Sequence, residues 1–523
     1  MPQSTLKANP ANMLGLLQKT RQWCRIGWAT YKLRQVKDDD RQFAQQALVQ
    51  ALADARGLAM KIGQFMAGVD TDNPYHPLVV GIKPLPLATI RPVLQKQLAQ
   101  PLESLFPVLD ESVAAASLGQ VHHAIRPDGT EVAVKVRYPG IVEAVQAELA
   151  LSEKIPAGGP VKQWRINTDD YKNTLRRQLL RETDYRVEMQ TQQRFKHNMR
   201  VTGLHVPRVY PELCTDAVLV QSWELGERFH DVCNWPKKDR LEIGRTLLMA
   251  LFQSLFVNGE VHGDPHPGNY LFRQDEEGKP QAILLDFGCT VLVNRQSRMA
   301  LLKLIDYCRN GGNADPFQCF VAMGFDAEKL SHLHNDLPQL CDVLFRPFLV
   351  DKPFQVGDWQ LGLLLQEKLD ERRWWFRTAG PAELFLLMRA FHGLKQQLEK
   401  LDVALPWWPL LRHVVGEQLL EYARDLALPD ATTTKKAEPV RYDRARKLCV
   451  RLQENNVSRV AVDLPAEAAF DLETIIPGQV LLMLLANHIN FTELNQRLRK
   501  EGLLPQPLFD LAMDAKHCQI WLE

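Results

Sequence analysis

Asp264 and Asn269 stand in the run His262-Gly263-Asp264-Pro265-His266-Pro267-Gly268-Asn269, and Asp286 opens Asp286-Phe287-Gly288, 22 positions after Asp264. Phosphoryl transfer from a nucleotide needs a carboxylate beside the attacking hydroxyl and further oxygen ligands for Mg²⁺, which prefers carboxylates and phosphates. Asp264 could orient or deprotonate the acceptor, and Asn269 and Asp286 could hold the metal. Between them Ala282-Ile283-Leu284-Leu285 is an apolar run. The spacing predicts a catalytic loop, a short hairpin and a metal-binding aspartate. A Gly- and Pro-rich octapeptide can also be a plain tight loop. His262, Asp264 and His266 could instead ligate a metal, but that reading leaves Asn269 and Asp286 unexplained.

Such chemistry requires elements that cover and tether phosphates, and these precede the loop. Ala114-Ala115-Ala116-Ser117-Leu118-Gly119-Gln120-Val121 reads as a small-residue turn entering a strand, and Asp128-Gly129 as a hairpin turn before the strand Glu131-Val132-Ala133-Val134-Lys135-Val136. A kinase N-lobe covers phosphates with such a turn and tethers them with a strand lysine; an edge-strand lysine that resists aggregation is the ordinary alternative. The nucleotide-contacting candidates are therefore Ala114, Ala115, Ala116, Ser117, Gly119 and Lys135. A helix is expected from about Asp169 to Met199, with Asp184 and Glu188 on one face and Glu182 projecting elsewhere. One of these acids could hold the lysine, as in kinases; a charged face shared with Arg176, Arg177, Arg181 and Arg186 is the bland reading. Val218 to Glu224 reads as a strand running into a linker whose backbone would meet adenine, and Leu241–Asn258 as a buried helix leading to His262.

Residues 1–37 contain no Asp or Glu, and within 13–37 six Lys and Arg alternate with Leu, Ile and Trp. This pattern fits a basic amphipathic helix on an anionic membrane, and equally a helix packed on its own protein; an organelle transit peptide ranks third. Asp38-Asp39-Asp40 can cap a helix over about Arg41–Ala67. Lys61 and Gln64 share a face of that helix, and Gly63 between them permits close approach. A Pro-rich connector follows, from Pro74 to Pro107. Beyond Gly288 the pattern is helical to about Leu428, with aromatic clusters at Trp374-Trp375-Phe376 and Trp407-Trp408 that core packing explains. A polar linker, Pro429–Glu438, then separates a tail that reads as a hairpin followed by helices.

Composition bounds the function. With 63 Lys+Arg against 62 Asp+Glu the net charge is +1, so no overall field favours nucleic acid. Nine cysteines lack any Cys-x-x-Cys pair, which fits reduced thiols. No apolar run reaches the roughly 18 to 20 residues needed to span a bilayer, and no signal-peptide apolar region opens the chain.

KIGQ on a helix ahead of the N-lobe, AAASLGQV in place of a glycine loop, VAVK, ETDYRVE, HGDPHPGN and DFG together resemble the UbiB/ADCK family of atypical kinases. The matching motifs run from about Lys61 to Gly288. The resemblance implies an α+β, helix-dominated, protein-kinase-like bilobal fold with an N-terminal helical extension (1–100), an N-lobe (101–226), a C-lobe (227–430) and a small C-terminal α/β appendage (439–523). It implies ATP and Mg²⁺ as cofactors, with Lys135 and Glu188 as the lysine–glutamate pair, Asp264 as the catalytic aspartate and Asn269 and Asp286 as metal residues, while Glu224 ends the strand whose linker is read as meeting the adenine. Lys61, Gly63 and Gln64 match a regulatory signature that lies over the site and contacts the acids at Glu182 and Asp184. The family is tied to isoprenoid-quinone and lipid metabolism and favours ATPase or small-molecule kinase activity. The expectations for the protein as a whole are a cytoplasmic location, with 13–37 as the segment for any peripheral contact with an anionic inner membrane face, lipid- or quinone-biosynthesis proteins as candidate partners, and no nucleic acid. Two departures stand out: the stretch after KIGQ is short, and no C-terminal transmembrane hairpin is present. An aminoglycoside- or choline-type kinase shares HGDxHPGN but lacks KIGQ and the alanine loop; a nucleotide-binding pseudokinase scaffold is the reading from another class.

Overall fold

Alternation along Glu131–Arg137 builds the strand on which the site depends. Val132, Val134 and Val136 enter one core, while Ala133 and Lys135 line the opposite side. The computed structural model describes residues 84–116, 118–152, 168–428, 445, 447–454, 457–472, 476, 491–501, 503, 506–513 and 516–522. The segment 13–37, the helix over 41–67 with Lys61, Gly63 and Gln64, Ser117 and the linker 429–438 lie outside the described residues. The described residues fall into two compact units, 84–152 with 169–428 and 445–522.

In the first unit four antiparallel strands, Val108–Ala115, Gly119–Ile125, Glu131–Arg137 and Val218–Ser222, pair in that order. The Pro-rich stretch is not only a connector, because it contains the helix Leu87–Leu98. Pro86 sits just before the first turn, where proline is tolerated. Ile90 and Leu94, one turn apart and fully buried, pack into the core with Val132, Val134 and Val220. Pro92 falls on the exposed side of that helix.

Gln120 ties this helix to the sheet. Its amide oxygen accepts from Leu85 N at 2.7 Å, and its amide nitrogen donates to the Leu85 carbonyl at 2.9 Å and lies 2.9 Å from His122 Nε2. His122 Nδ1 is 2.8 Å from the Asp110 carbonyl, so Nδ1 donates there and Nε2 accepts. Burial holds the His122 ring below its ordinary value, against the opposing pull of the Asp110 carbonyl. A group with a depressed folded pKa contributes stability above its unfolded value of about 6.5 that is lost as pH falls. Denaturant melts at pH 7 and pH 5 should therefore show a smaller acid-side loss for His122→Leu than for wild type; equal slopes would refute this.

The single helix expected over 169–199 is two helices, Thr168–Glu182 and Tyr185–Asn198. Asp184 breaks it: its side chain accepts from Arg186 N at 3.0 Å and caps the second helix. Hence Asp184 and Glu188 do not share a helical face. The helix leading to the loop at His262 runs Lys237–Phe252 and continues through a π turn, Gln253–Asn258, that ends at Gly259 with φ 71°. Leu247, Leu248, Phe252, Phe256 and Val261 form one core with Trp359 and Trp407. Those two indoles meet edge-on, centroids 6.0 Å apart.

The second unit is a four-stranded antiparallel sheet, with Val457–Pro465, Lys447–Glu454, Lys516–Leu522 and Gln506–Met513 in that order, together with the helix Phe491–Glu501. The C-terminal hairpin was not anticipated in the tail. Its signal is period-two alternation, since Cys518, Ile520 and Leu522 are buried with Leu448 and Val450.

Candidate active site

Lys135 is placed by strand pairing: it faces Val121 on one neighbour and Leu219 on the other. Its ammonium donates to Glu188 Oε1 at 2.7 Å and to Asp286 Oδ2 at 2.8 Å, and stands 5.1 Å from the Tyr185 ring centroid. Burial alone would pull this ammonium down, but the carboxylates of Asp286 and Glu188 outweigh it and hold its pKa well above the usual lysine range. Glu188, 2% exposed, reaches the pair because Asp184 starts its helix one turn earlier. Burial pushes the Glu188 carboxyl up against the pull of Lys135.

The loop His262 to Asn269 and Asp286 are brought together by two ladders. Glu260–His262 pairs antiparallel with Thr290–Leu292, and Gly263 N donates to the Cys289 carbonyl at 2.8 Å. Tyr270–Gln274 pairs with Pro280–Leu284, and Leu285 N donates to the Asn269 carbonyl at 2.9 Å. The expected short hairpin is thus present, and it sets Asp264, Asn269 and Asp286 around one cleft of about 500 Å³ with Lys135, Glu188 and Glu182. Asn269 Nδ2 donates to the Asp264 carbonyl at 2.9 Å, which fixes the side-chain amide. Asp286 Oδ1 accepts from Gly288 N at 3.0 Å. Phe287 is buried between Phe195 and His262, centroids 5.3 and 6.2 Å away, so Asp286 is turned into the cleft.

His262 does not form a metal site with Asp264 and His266. Its Nε2 is 2.7 Å from the Asp286 carbonyl and therefore donates, and burial holds the ring below its ordinary value. His266 Nδ1 accepts from Gly268 N at 3.0 Å. Among the described residues no group of three or more His, Cys, Asp or Glu is arranged to hold a metal ion. The carboxylate of Asp286 and the amide of Asn269 are instead a hard-oxygen set of the kind Mg²⁺ takes in combination with phosphates.

The other predicted residues divide. Ala114, Ala115 and Ala116 line the cleft roof, with Ala116 N donating to the Gly119 carbonyl at 2.7 Å. Gly119 does not line it; a Cβ there would lie 2.3 Å from the Val136 carbonyl and 2.5 Å from the Tyr185 hydroxyl, so its small size serves packing. Glu224 is at the rim, but its carboxylate is engaged by His205 at 3.0 Å, Ser222 at 2.8 Å and Arg273 at 2.9 Å, which leaves any adenine contact there to backbone. Glu182 lines the cleft and accepts from Gln178 at 3.2 Å. Asp184 is absent from the lining and acts as a helix cap.

Residues 78–314 match the model of the ABC1 atypical kinase-like domain. These residues form an ABC1, or UbiB/ADCK, atypical kinase-like domain. Its fold is accordingly kinase-like. Atypical kinase COQ8B, mitochondrial, of Rattus norvegicus is 31% identical over 333 residues, covering 60% of this chain and 60% of that protein. AarF domain-containing protein kinase 1 of Gallus gallus is 31% identical over 273 residues, covering 49% and 50%. Protein ACTIVITY OF BC1 COMPLEX KINASE 1, chloroplastic, of Arabidopsis thaliana is 29% identical over 259 residues, covering 47% and 37%. The chain thus spans between 37 and 60% of the length of these relatives.

Arg389 is a further cleft residue that no sequence motif marks. Its Nη2 donates to Asp264 Oδ1 at 2.8 Å, and it lines the same cleft. One arginine among many on a helix 125 positions downstream carries no local signal.

Proposed function

We propose that this chain is an ATP- and Mg²⁺-dependent kinase or ATPase serving isoprenoid-quinone or lipid metabolism. The observation that carries the reading is the convergence of Glu188 and Asp286 on the Lys135 ammonium, 2.7 and 2.8 Å away, in a cleft that also holds Asp264 and Asn269. Asp286 and Asn269 would hold Mg²⁺, which when bound neutralises charge on the phosphates. Lys135, braced by Glu188, would orient phosphate oxygens. Asp264 would position the acceptor hydroxyl or water. The small alanine side chains of the roof would let the nucleotide lie close beneath the sheet. The name of the rat relative supports the quinone side of this reading. No helix of the described residues is long and apolar enough to cross a membrane. Any membrane contact would therefore be peripheral as far as those residues go, and 13–37 is the segment proposed to make it.

The test is phosphate release from Mg·ATP by the full chain, with and without anionic liposomes, beside Asp264→Asn. We expect release by wild type, a fall of about 10² to 10³-fold in the variant as for loss of a positioned catalytic group, and unchanged nucleotide affinity. Nucleotide binding with no release under either condition would overturn the enzyme reading and favour the scaffold.

A further inference from the structure

The helix Leu384–Lys400 meets the catalytic loop at three positions spaced four apart. Arg389 Nη2 donates to Asp264 Oδ1 at 2.8 Å. At Gly393 a Cβ would lie 2.6 Å from Pro265 Cγ, so the proline ring rests against bare helix backbone. Gln397 donates its Nε2 to the Pro265 carbonyl. Positions four apart share one face of a helix, so a single face of this element carries all three contacts. Glycine inside a helix is unfavourable relative to alanine, and here the close approach of Pro265 accounts for it. Gln397 is 1% exposed, and the Arg389 and Asp264 side chains are 19% and 16% exposed, so these contacts are shielded from water. Proline and a buried amide hold the loop backbone, while the guanidinium holds the carboxylate.

We propose that the 389/393/397 face is a splint for the catalytic loop and that Arg389 is a positioning residue that sets the Asp264 carboxylate. The consequence for rate rests on the phosphoryl-transfer reading; the mechanical claim does not. A misplacement of a catalytic group by about 1 Å can lower turnover about 10²-fold. Arg389→Met, similar in length but uncharged, should lower kcat for phosphate release about 10²-fold with KM for Mg·ATP within about twofold. Arg389→Lys should recover at least about tenfold of that loss, because it keeps a cation beside Asp264. Gly393→Ala should lower kcat in the same direction by displacing Pro265, although alanine is the better helix former.

Amide hydrogen exchange of the full chain without nucleotide supplies the readout independent of turnover. In Arg389→Met and Gly393→Ala, exchange across 262–270 should quicken while 119–137 stays as in wild type. Unchanged exchange across 262–270 in both variants overturns the splint whatever the turnover. A kcat loss that Lys does not recover, or one matched by a rise in KM, overturns the positioning role. Absence of release by wild type would end the kinase reading instead, with the splint still decided by the exchange result.

Discussion

Asp286→Asn should lower phosphate release from saturating Mg·ATP by at least about 10³-fold, the scale of removing a main electrostatic stabiliser or metal ligand. The asparagine is nearly isosteric, so the loss arises from charge and hydrogen-bond polarity. Oδ1 of Asp286 accepts from Gly288 N at 3.0 Å and Oδ2 from Lys135 at 2.8 Å. An amide has only one oxygen, so its nitrogen must face either the Gly288 amide or the Lys135 ammonium, donor against donor. The metal affinity and the tether on Lys135 weaken together. Initial rates, with nucleotide titrations in the presence and absence of Mg²⁺, read both. Release within threefold of wild type, or nucleotide binding that keeps its Mg²⁺ dependence in full, would remove Asp286 from the metal site.

Lys135→Met should destabilise the fold by about 3 to 5 kcal/mol near pH 8, the usual cost of removing one partner from a buried ion pair. Glu188 is 2% exposed and Lys135 Nζ is its ion-pair partner at 2.7 Å, so the variant strands a carboxylate in a core position. Methionine fills much of the space, and the deficit is therefore mainly electrostatic. The cost depends on pH in a defined direction. Burial already pushes the Glu188 carboxyl up to about 7 with Lys135 in place, and losing the lysine raises it further. A carboxyl whose folded pKa exceeds its unfolded value favours the folded state below about 4.5 and loses that contribution as pH rises through the folded pKa. The gap between wild type and variant should then be about 1 kcal/mol wider at pH 8 than at pH 5, the worth of one pH unit above a folded value of about 7. Adding Glu188→Leu should recover most of the loss, since an apolar pair of similar volume is often as stable as the ion pair. Equal gaps at pH 5 and pH 8, or a cost below about 1 kcal/mol at pH 8, would mean that water or another cation compensates Glu188.

The sequence carried the local parts of this site because each part is written in contiguous residues. His262 to Asn269, the apolar run before Asp286 and the alternating valines around Lys135 are read from turn chemistry and period alone. Elements that depend on helix ends were less legible. Asp184 within Arg181–Arg186 looks like one more charge on a helix face, yet its carboxylate bonds to Arg186 N and starts a new helix. That capping bond is what turns Glu188 rather than Asp184 toward Lys135. The helix hidden in the Pro-rich stretch was missed for a related reason: prolines mark boundaries statistically, and only burial of Ile90 and Leu94 outweighs that signal.

By itself the sequence pointed to the kinase-like class and singled out Lys135, Asp264, Asn269 and Asp286 as candidates for its chemistry. Each of these rests on short-range spacing, where residue type and backbone preference act within a few positions. The tertiary structure alone decided that Arg389 reaches Asp264 across 125 positions, and it brings Lys135 within 2.7 Å of Glu188, 53 positions on, a pair that the sequence offered only through the family resemblance. It also decided that Gly119 serves packing against Val136 and Tyr185 and that Gly393 admits Pro265. Contacts between distant segments are selected by which faces pack after collapse, and a free energy summed over many buried atoms leaves no mark at any single residue.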